Sequence, residues 1–218
     1  MLGLIIKDIR LIKNQGMLMI LVFVGVMGVF MANTMDNPSG FVAYATVMGT
    51  IYAFNTLSYD NYENGYAFLF TLPVSRKLYA AEKYVLAMLF SAGACLVSGA
   101  AAELIWGVSS EFAIHCCIYL LIWVVLLWVP TIVLPLQLKF GTEKSRIFTI
   151  LVFGGCGALA YLIAGTDGKA VELVAGWLKG LYETLGTVGC MALAILLTAA
   201  AFALSMGISM RIMEKKEF

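Results

Sequence analysis

Residues 84–108 read YVLAMLFSAGACLVSGAAAELIWGV and contain one charged side chain, Glu103. A helix of about 20 residues crosses the roughly 30 Å hydrocarbon layer of a bilayer, so this stretch is long enough to span a membrane. An acidic residue at a helix centre costs roughly 2.5–3.5 kcal/mol, which is less than the summed contribution of many Leu and Val residues at about 0.3–0.6 kcal/mol each. The stretch therefore predicts a transmembrane helix that retains its carboxylate.

The composition of the whole chain agrees with this interpretation. Of the 218 residues, 62% are hydrophobic and 12% are charged, whereas soluble domains are about half apolar and about a quarter charged. The net charge of +1 and the absence of a Lys/Arg run argue against binding to a nucleic-acid backbone. The five cysteines lie in apolar runs without metal-ligand spacing, so neither a metal site nor a disulfide framework is predicted.

Five further apolar runs are long enough to cross the bilayer. Pro130 and Pro135 interrupt one of them and predict a kink near one end, which is tolerated where neighbouring helices cover the freed carbonyls. We therefore predict an all-α polytopic membrane protein with a single transmembrane domain over residues 1–218. Its six spans are 17–34, 40–57, 84–108, 112–138, 147–164 and 187–210.

Small residues recur at every fourth position in two of these spans. They are Ala87, Ser91 and Cys95 in the third span and Ala199, Ala203 and Gly207 in the sixth. Such spacing lets helix backbones approach closely. We predict that both stripes are packing faces, either within the subunit or between two subunits.

The distribution of basic residues gives the orientation, because Lys and Arg concentrate on the cytoplasmic side of membrane proteins. Twelve of the fourteen Lys and Arg residues fall in the N-terminal segment, in the loops after spans two and four, and in the C-terminal tail. The opposite side carries only Lys169 and Lys179. Both termini are therefore predicted to lie in the cytoplasm.

Two segments outside the spans have helical periodicity. Residues 1–15 place five apolar residues opposite a basic face, which predicts an amphipathic helix in the headgroup layer. Those apolar residues are Leu2, Ile5, Ile6, Ile9 and Ile12. Residues 165–186, on the predicted outer side, are too short and polar to span and predict short outer helices between spans five and six.

The cytoplasmic segment 58–83 has the most internal organisation. Ser58 is predicted to cap a short helix that Pro73 ends, because the residue before proline avoids the α conformation. Ser75 is then predicted to cap a second helix that runs directly into span three. A short cytoplasmic helix rigidly joined to a span can transmit force, and an ordinary capped loop is the alternative.

The chain lacks the motifs of an enzyme. It has no G-x-x-x-x-G-K-[ST] loop for nucleotide phosphates and no G-x-S-x-G or H-E-x-x-H motif, and it contains one histidine. We therefore predict no catalytic, cofactor or metal site. The one ionisable group inside a span is Glu103, a possible functional carboxylate that His115 can pair with across the outer turn.

The layout of these elements and one short motif resemble the permease subunits of bacterial type-2 ABC exporters. The closest similarity is to permeases that export phenol-soluble modulins and bacteriocin-like peptides. In them, the segment between spans two and three runs tyrosine, aspartate, variable polar residues, and then Leu-Pro and Ser-Arg-Lys. Here the motif reads Tyr59-Asp60, Leu72-Pro73 and Ser75-Arg76-Lys77.

The resemblance implies that residues 58–83 are a coupling segment that docks on a separately encoded ATPase. By this resemblance, the docking residues are Tyr59, Asp60, Tyr62 and Glu63, with Arg76 and Lys77 either completing the surface or holding lipid phosphates. It further implies two ATPase copies that bind ATP and Mg, and a second permease, like or unlike this chain. The expected location is the bacterial cell membrane, and the expected cargo is an amphipathic or antimicrobial-type peptide or a hydrophobic small molecule.

Two other functions stay open at the level of the sequence. The chain can be a non-transporting membrane partner, such as an immunity or sensor subunit. It can also be a proton-coupled carrier centred on Glu103, although carriers usually bury several polar groups near the midplane. Transport that continues without any ATPase distinguishes the carrier, and a lack of transport with the correct ATPase distinguishes the immunity or sensor subunit.

Overall fold

The computed structural model describes residues 2–14, 38–61, 75–106, 112–141 and 169–216, together with residues 24, 25, 28, 144, 145, 147, 150, 154 and 155. All secondary structure in these residues is helical, which confirms the predicted all-α class. The helices are α1 (Leu2–Asn14), α2 (Ser39–Asn61), α3 (Arg76–Trp106), α4 (Phe112–Leu126), α5 (Trp128–Phe140) and α6 (Lys169–Lys215).

Three helical stretches among the described residues are long and apolar enough to cross a membrane. They are Arg76–Trp106, Phe112–Phe140 and Glu183–Lys215, and they coincide with the predicted third, fourth and sixth spans. The predicted spans 17–34 and 147–164 lie almost wholly outside the described residues. The predicted count of six spans therefore stays a prediction.

The predicted second span, residues 40–57, lies within α2 but is not one of those three stretches. Its threonines and tyrosines lower its hydropathy. The hydroxyls of the buried Thr46 and Thr50 donate to backbone carbonyls one turn earlier, at 2.7 and 2.9 Å. Because these bonds satisfy the hydroxyls inside the helix bundle, the polar content of α2 does not have to face lipid.

Helices α2 and α3 pack closely because Gly49 has no side chain. A Cβ atom at Gly49 would lie 2.6 Å from the Cβ of Ala94 and 2.9 Å from the carbonyl oxygen of Phe90. The predicted small-residue stripe of α3 is also buried and consists of Ala87, Ser91 and Cys95. In contrast, Ala199 and Ala203 of the α6 stripe are exposed in the described part of the subunit.

The two prolines of the fourth span have separate effects. Pro130 lies in the first turn of α5 and has no N–H to donate, yet Leu127 between α4 and α5 keeps an α-helical backbone, with φ −64° and ψ −16°. The amide of Leu127 donates to the carbonyl of Trp123 at 3.0 Å, so the helical path continues from α4 into α5. Pro135 lies inside α5 and cannot donate to the carbonyl of Thr131. The hydroxyl of Ser205 on α6 donates to that carbonyl at 2.6 Å, so a neighbouring helix covers the freed acceptor as predicted.

A second polar contact holds α3 against α6 in the interior. The hydroxyl of the buried Tyr84 lies 2.7 Å from the hydroxyl oxygens of both Ser205 and Ser209. Such interhelical hydrogen bonds contribute to helix association where lipid offers no polar partners. Helices α3, α5 and α6 are therefore joined by one continuous hydrogen-bonded path.

The boundary between the predicted outer segment and the sixth span lies at a backbone break. Gly186 has φ 66° and ψ 179°, and it divides α6 into two helical parts. A positive φ favours glycine because it has no Cβ. This break is consistent with the prediction that the outer segment ends at residue 186. The helix that follows is longer than the predicted sixth span, since it continues beyond residue 210 to Lys215.

We predict that Gly49→Ala destabilises the protein. The added methyl group meets backbone at less than contact distance, and overpacking of this kind costs about 1–3 kcal/mol. The matched control is Gly93→Ala on α3, where nothing lies within 4 Å; there the better helix propensity of alanine makes the change neutral or slightly stabilising. Thermal unfolding in detergent measures both. Equal melting temperatures for the two variants would contradict the tight α2–α3 contact.

Candidate functional site

Five charged side chains meet where α1, the last turn of α2 and the first turns of α3 converge. We call this group the ion cluster; it consists of Lys7, Asp8, Asp60, Glu82 and Lys83. Four of its members are buried, with exposed fractions of 0% for Asp8 and Glu82, 2% for Lys83 and 7% for Asp60. Buried charges require close partners of opposite sign, so their arrangement determines how these helices fit together.

Lys83 is the centre of the ion cluster. Its ammonium group donates to Asp8 Oδ2 of α1, lies 2.7 Å from Asp60 Oδ2 of α2 and donates to Thr56 Oγ1 at 3.2 Å. An ammonium group has three N–H donors. All three therefore find an acceptor on another helix, and one side chain of α3 binds both α1 and α2.

Asp60 receives hydrogen bonds from three directions. Its Oδ1 accepts from Lys7, and its Oδ2 accepts from the Tyr79 hydroxyl at 2.9 Å as well as contacting Lys83. Burial opposes ionisation, but the charges of Lys83 and Lys7 hold the pKa of Asp60 below its ordinary value of 3.8. Asp60 therefore stays ionised near neutral pH.

Helical spacing explains how three helices reach one point. Residues four apart lie on the same helix face, and each helix contributes such a pair. The pairs are Leu4 and Asp8 on α1, Thr56 and Asp60 on α2, and Tyr79 and Lys83 on α3. The charged member of each pair enters the ion cluster, while an apolar core forms beside it from Leu4, Leu57, Tyr79, Ala80, Leu138 and Met213.

Glu82 makes the charge of the ion cluster uneven. Lys7 and Lys83 balance Asp8 and Asp60, whereas Glu82 is a third carboxyl group whose nearest cation in the cluster, Lys83, lies 3.8 Å away. Neither Glu82 oxygen has a hydrogen-bond partner among the described residues. Burial is the largest influence on Glu82 and, together with the neighbouring Asp8 carboxylate, it raises the pKa of Glu82 to about 7 against the opposing charge of Lys83.

The structure places the predicted docking residues in different environments. Tyr59 is 47% exposed in the last turn of α2, whereas Asp60 is buried in the ion cluster. Tyr62 and Glu63 lie outside the described residues. A docking role for these four side chains stays a prediction. Of the two that the structure describes, Tyr59 is exposed and Asp60 is not.

Arg76 and Lys77 contact the C-terminal end of the same chain. The Arg76 guanidinium donates to the carbonyl oxygens of Glu214 and Lys216, and Lys77 pairs with the Glu214 carboxylate at 2.9 Å. Lys216 in turn donates to the carbonyl of Leu138 at the end of α5. The start of α3 is therefore held from a second side by the end of α6.

The structure corrects one predicted helix boundary and confirms another. Ser58 does not begin a new helix, because α2 runs without a break to Asn61. A continuous helix keeps its backbone amides bonded, whereas a new start would leave first-turn amides without acceptors. Ser75 does cap α3, since its hydroxyl accepts from the amide of Leu78 at 3.3 Å, and α3 runs directly into the predicted third span as expected.

Sequence reasoning missed Asp8 and treated Lys7 and Lys83 only as topology signals. The available signal was weak but present. Asp8 is the one acidic residue in an otherwise basic amphipathic helix, and it follows Leu4 by one turn. A lone opposite charge in such a helix indicates a specific partner, although the sequence does not say where that partner lies.

A second polar group lies between α3 and α4. His115 Nδ1 is 2.9 Å from Glu103 Oε1, and the Tyr119 hydroxyl donates to the same oxygen at 3.0 Å. The predicted pairing of Glu103 with His115 is therefore present. Within the described ranges, no group of three His, Cys, Asp or Glu side chains is arranged to hold a metal ion.

Comparison with known proteins gives one match. A family model described as ABC-2 family transporter protein matches residues 3–214, which is almost the entire chain. No curated protein and no solved structure showed significant similarity. The matched range includes the whole ion cluster and the contact of Lys77 with Glu214.

We predict that Lys83→Met strongly destabilises the protein. It leaves two buried aspartates with Lys7 as their single cation in the cluster, and breaking a buried ion pair costs about 3–5 kcal/mol. The exposed Lys77→Met is the matched control and should change stability by less than about 1 kcal/mol. Unfolding in detergent micelles measures both variants. Adding Asp8→Asn to Lys83→Met should restore part of the lost stability. Equal stability of Lys83→Met and Lys77→Met would contradict the central role of Lys83.

Proposed function

Because the chain belongs to the ABC-2 transporter family, we propose that it is the permease subunit of an ATP-driven exporter. Membership implies a membrane transport subunit and an ABC ATPase partner. The finer proposal is that the partner drives transport through the coupling segment, residues 58–83. ATP and Mg bind in that partner, since this chain carries no P-loop motif.

The ion cluster supports this proposal because it connects both ends of the coupling segment. Asp60 and Tyr59 are near the end of α2, Lys83 is in α3, and the salt bridge between Asp60 and Lys83 is 2.7 Å long. A force on the segment between them is therefore applied to two helices that already share a buried contact. Asp8 extends the same connection to α1.

We propose that the docking surface consists of Tyr59, Tyr62 and Glu63, with Arg76 and Lys77 at its edge. An exposed aromatic with nearby charges is typical of a protein contact. Asp60 belongs to the same predicted motif. Because it is buried, we assign it the role of fixing the start of the coupling segment to the neighbouring helices. In this arrangement Asp60 and Lys83 transmit motion, while Tyr59 meets the partner.

The complete transporter is proposed to contain two permeases and two ATPases in the bacterial cell membrane, with both permease termini in the cytoplasm. ATP binding closes the ATPases and moves both coupling segments. That movement switches the pathway between the two permeases so that cargo leaves the cytoplasm. Amphipathic or antimicrobial-type peptides are the proposed cargo, with hydrophobic small molecules as the alternative.

Reconstitution tests the proposed activity. In liposomes that contain the permease and its ABC ATPase, we expect ATP to drive movement of an amphipathic peptide across the bilayer. The control is the same complex with the P-loop lysine of the ATPase replaced, which should abolish movement. Movement that persists without any ATPase would favour a proton-coupled carrier. No movement with an active ATPase would favour an immunity or sensor subunit.

A separate measurement tests the docking surface. We predict that Tyr59→Ala combined with Glu63→Gln weakens binding of the ATPase by about tenfold or more, because truncated aromatic anchors dominate losses at interfaces. The control is Phe112→Ala. Phe112 is an exposed aromatic residue at the start of α4, and its replacement should leave binding unchanged. Titration of ATPase against permease in nanodiscs gives both affinities. Unchanged binding for the double variant would remove these residues from the docking surface.

A further inference from the structure

The carboxylate of Glu103 is bound at only one of its two oxygens. Both His115 and Tyr119 approach Oε1, at 2.9 and 3.0 Å. Oε2 is buried and has no hydrogen-bond partner among the described residues. A carboxylate oxygen that is buried without a partner is costly, so this atom is a candidate contact for something that the protein chain itself does not supply.

The surroundings hold Glu103 in a fixed position. Tyr119 packs its ring against Gly99, which precedes Glu103 by one turn of α3. A Cβ atom at Gly99 would lie 3.2 Å from this ring. His115 and Tyr119 are likewise one turn apart on α4. Because each helix presents its pair on one face, the positions of both donors at Oε1 are fixed.

The sequence offers few fixed cations to compensate this carboxylate. Between Tyr84 and Leu138 there is no Lys or Arg, while Glu103 and Glu111 are both acidic and His115 is the single basic side chain. A pair of carboxylates against one histidine leaves this stretch short of positive charge. An intramembrane carboxylate with an incomplete set of partners is suited to a cationic ligand.

Tyr119, whose hydroxyl contacts the Glu103 carboxylate, belongs to an aromatic-rich cluster. Phe41 and the partly buried Trp106 and Trp123 belong to the same apolar cluster, which also contains Ala102. The rings of Phe41 and Trp106 are 6.1 Å apart. Ring faces attract cations, so an aromatic cluster joined to the carboxylate through Tyr119 favours an organic cation over a neutral ligand.

From these observations we propose that Glu103, positioned by His115 and Tyr119, binds a single positive charge carried by the transported molecule, such as the ammonium group of a lysine. The inference rests on the proposed export function and narrows its substrate class to cationic amphiphiles. Glu103 Oε2 is the contact atom, His115 and Tyr119 are positioning residues, and the nearby rings accommodate the apolar part of the ligand.

The test uses a probe pair that differs by one charge. The probes are an amphipathic peptide with one lysine and the same peptide with glutamine at that position, both labelled for fluorescence. Their binding to the permease in nanodiscs and their ATP-driven transport by the complete complex are measured for the wild type, Glu103→Gln and the exposed control Glu183→Gln. Unfolding temperatures verify that each variant is folded.

We expect the wild type to bind the lysine peptide about tenfold more tightly than the glutamine peptide, because the lysine adds a charge-assisted hydrogen bond to Glu103. Glu103→Gln should remove this preference, leaving the glutamine peptide unaffected, and Glu183→Gln should keep it. Tyr119→Phe should reduce the preference without abolishing binding of either peptide.

The outcomes separate this inference from the proposed function. A wild type that binds and transports both peptides equally overturns the cation site, even if Glu103→Gln does not fold. A Glu103→Gln variant that retains the preference overturns it as well. A wild type that binds the lysine peptide preferentially but moves neither peptide with ATP supports the site and contradicts the export function.

Discussion

The ammonium group of Lys83 is the contact on which the packing of α1, α2 and α3 at their meeting point depends. It carries one charge into an environment that is almost fully buried, and it is stable there because Asp8 and Asp60 reach it from two other helices. A buried charge without partners is far more costly than an exposed one. The positions of α1, α2 and α3 relative to one another are therefore specified by charge pairing, in addition to apolar packing.

The sequence predicts the parts of the fold that follow from a bilayer. Hydropathy and length indicated the stretches that became α3, α4–α5 and α6, and Ser75 marked the start of α3 because its hydroxyl accepts a first-turn amide. The break at Gly186 also coincides with a predicted boundary. These features are local, so neighbouring residues suffice to predict them. The end of α2 was misplaced at Ser58, because a serine that can cap a helix can also lie in its last turn.

The ion cluster was harder to predict because its partners are distant in sequence. Asp8 and Lys83 are separated by 75 positions, and Lys7 and Asp60 by 53. Periodicity identifies which face of each helix is apolar, but it does not identify which helices meet. The motif around Asp60 suggested an exposed docking residue, whereas its actual environment is set by α1 and α3. Glu103 and His115 were paired correctly because their two helices follow each other closely in sequence, one ending at Trp106 and the next beginning at Phe112.

The two polar groups lie at opposite ends of α3, so one helix takes part in both. Lys83 is near its start and is joined to α1 and α2, while Glu103 is near its end and contacts α4. Between them α3 is apolar and continuous, with its buried stripe of small residues against α2 and α4. One uninterrupted helix therefore links the ion cluster to the carboxylate of Glu103. In the proposed transporter, α3 is the element through which a displacement at the ion cluster would reach Glu103.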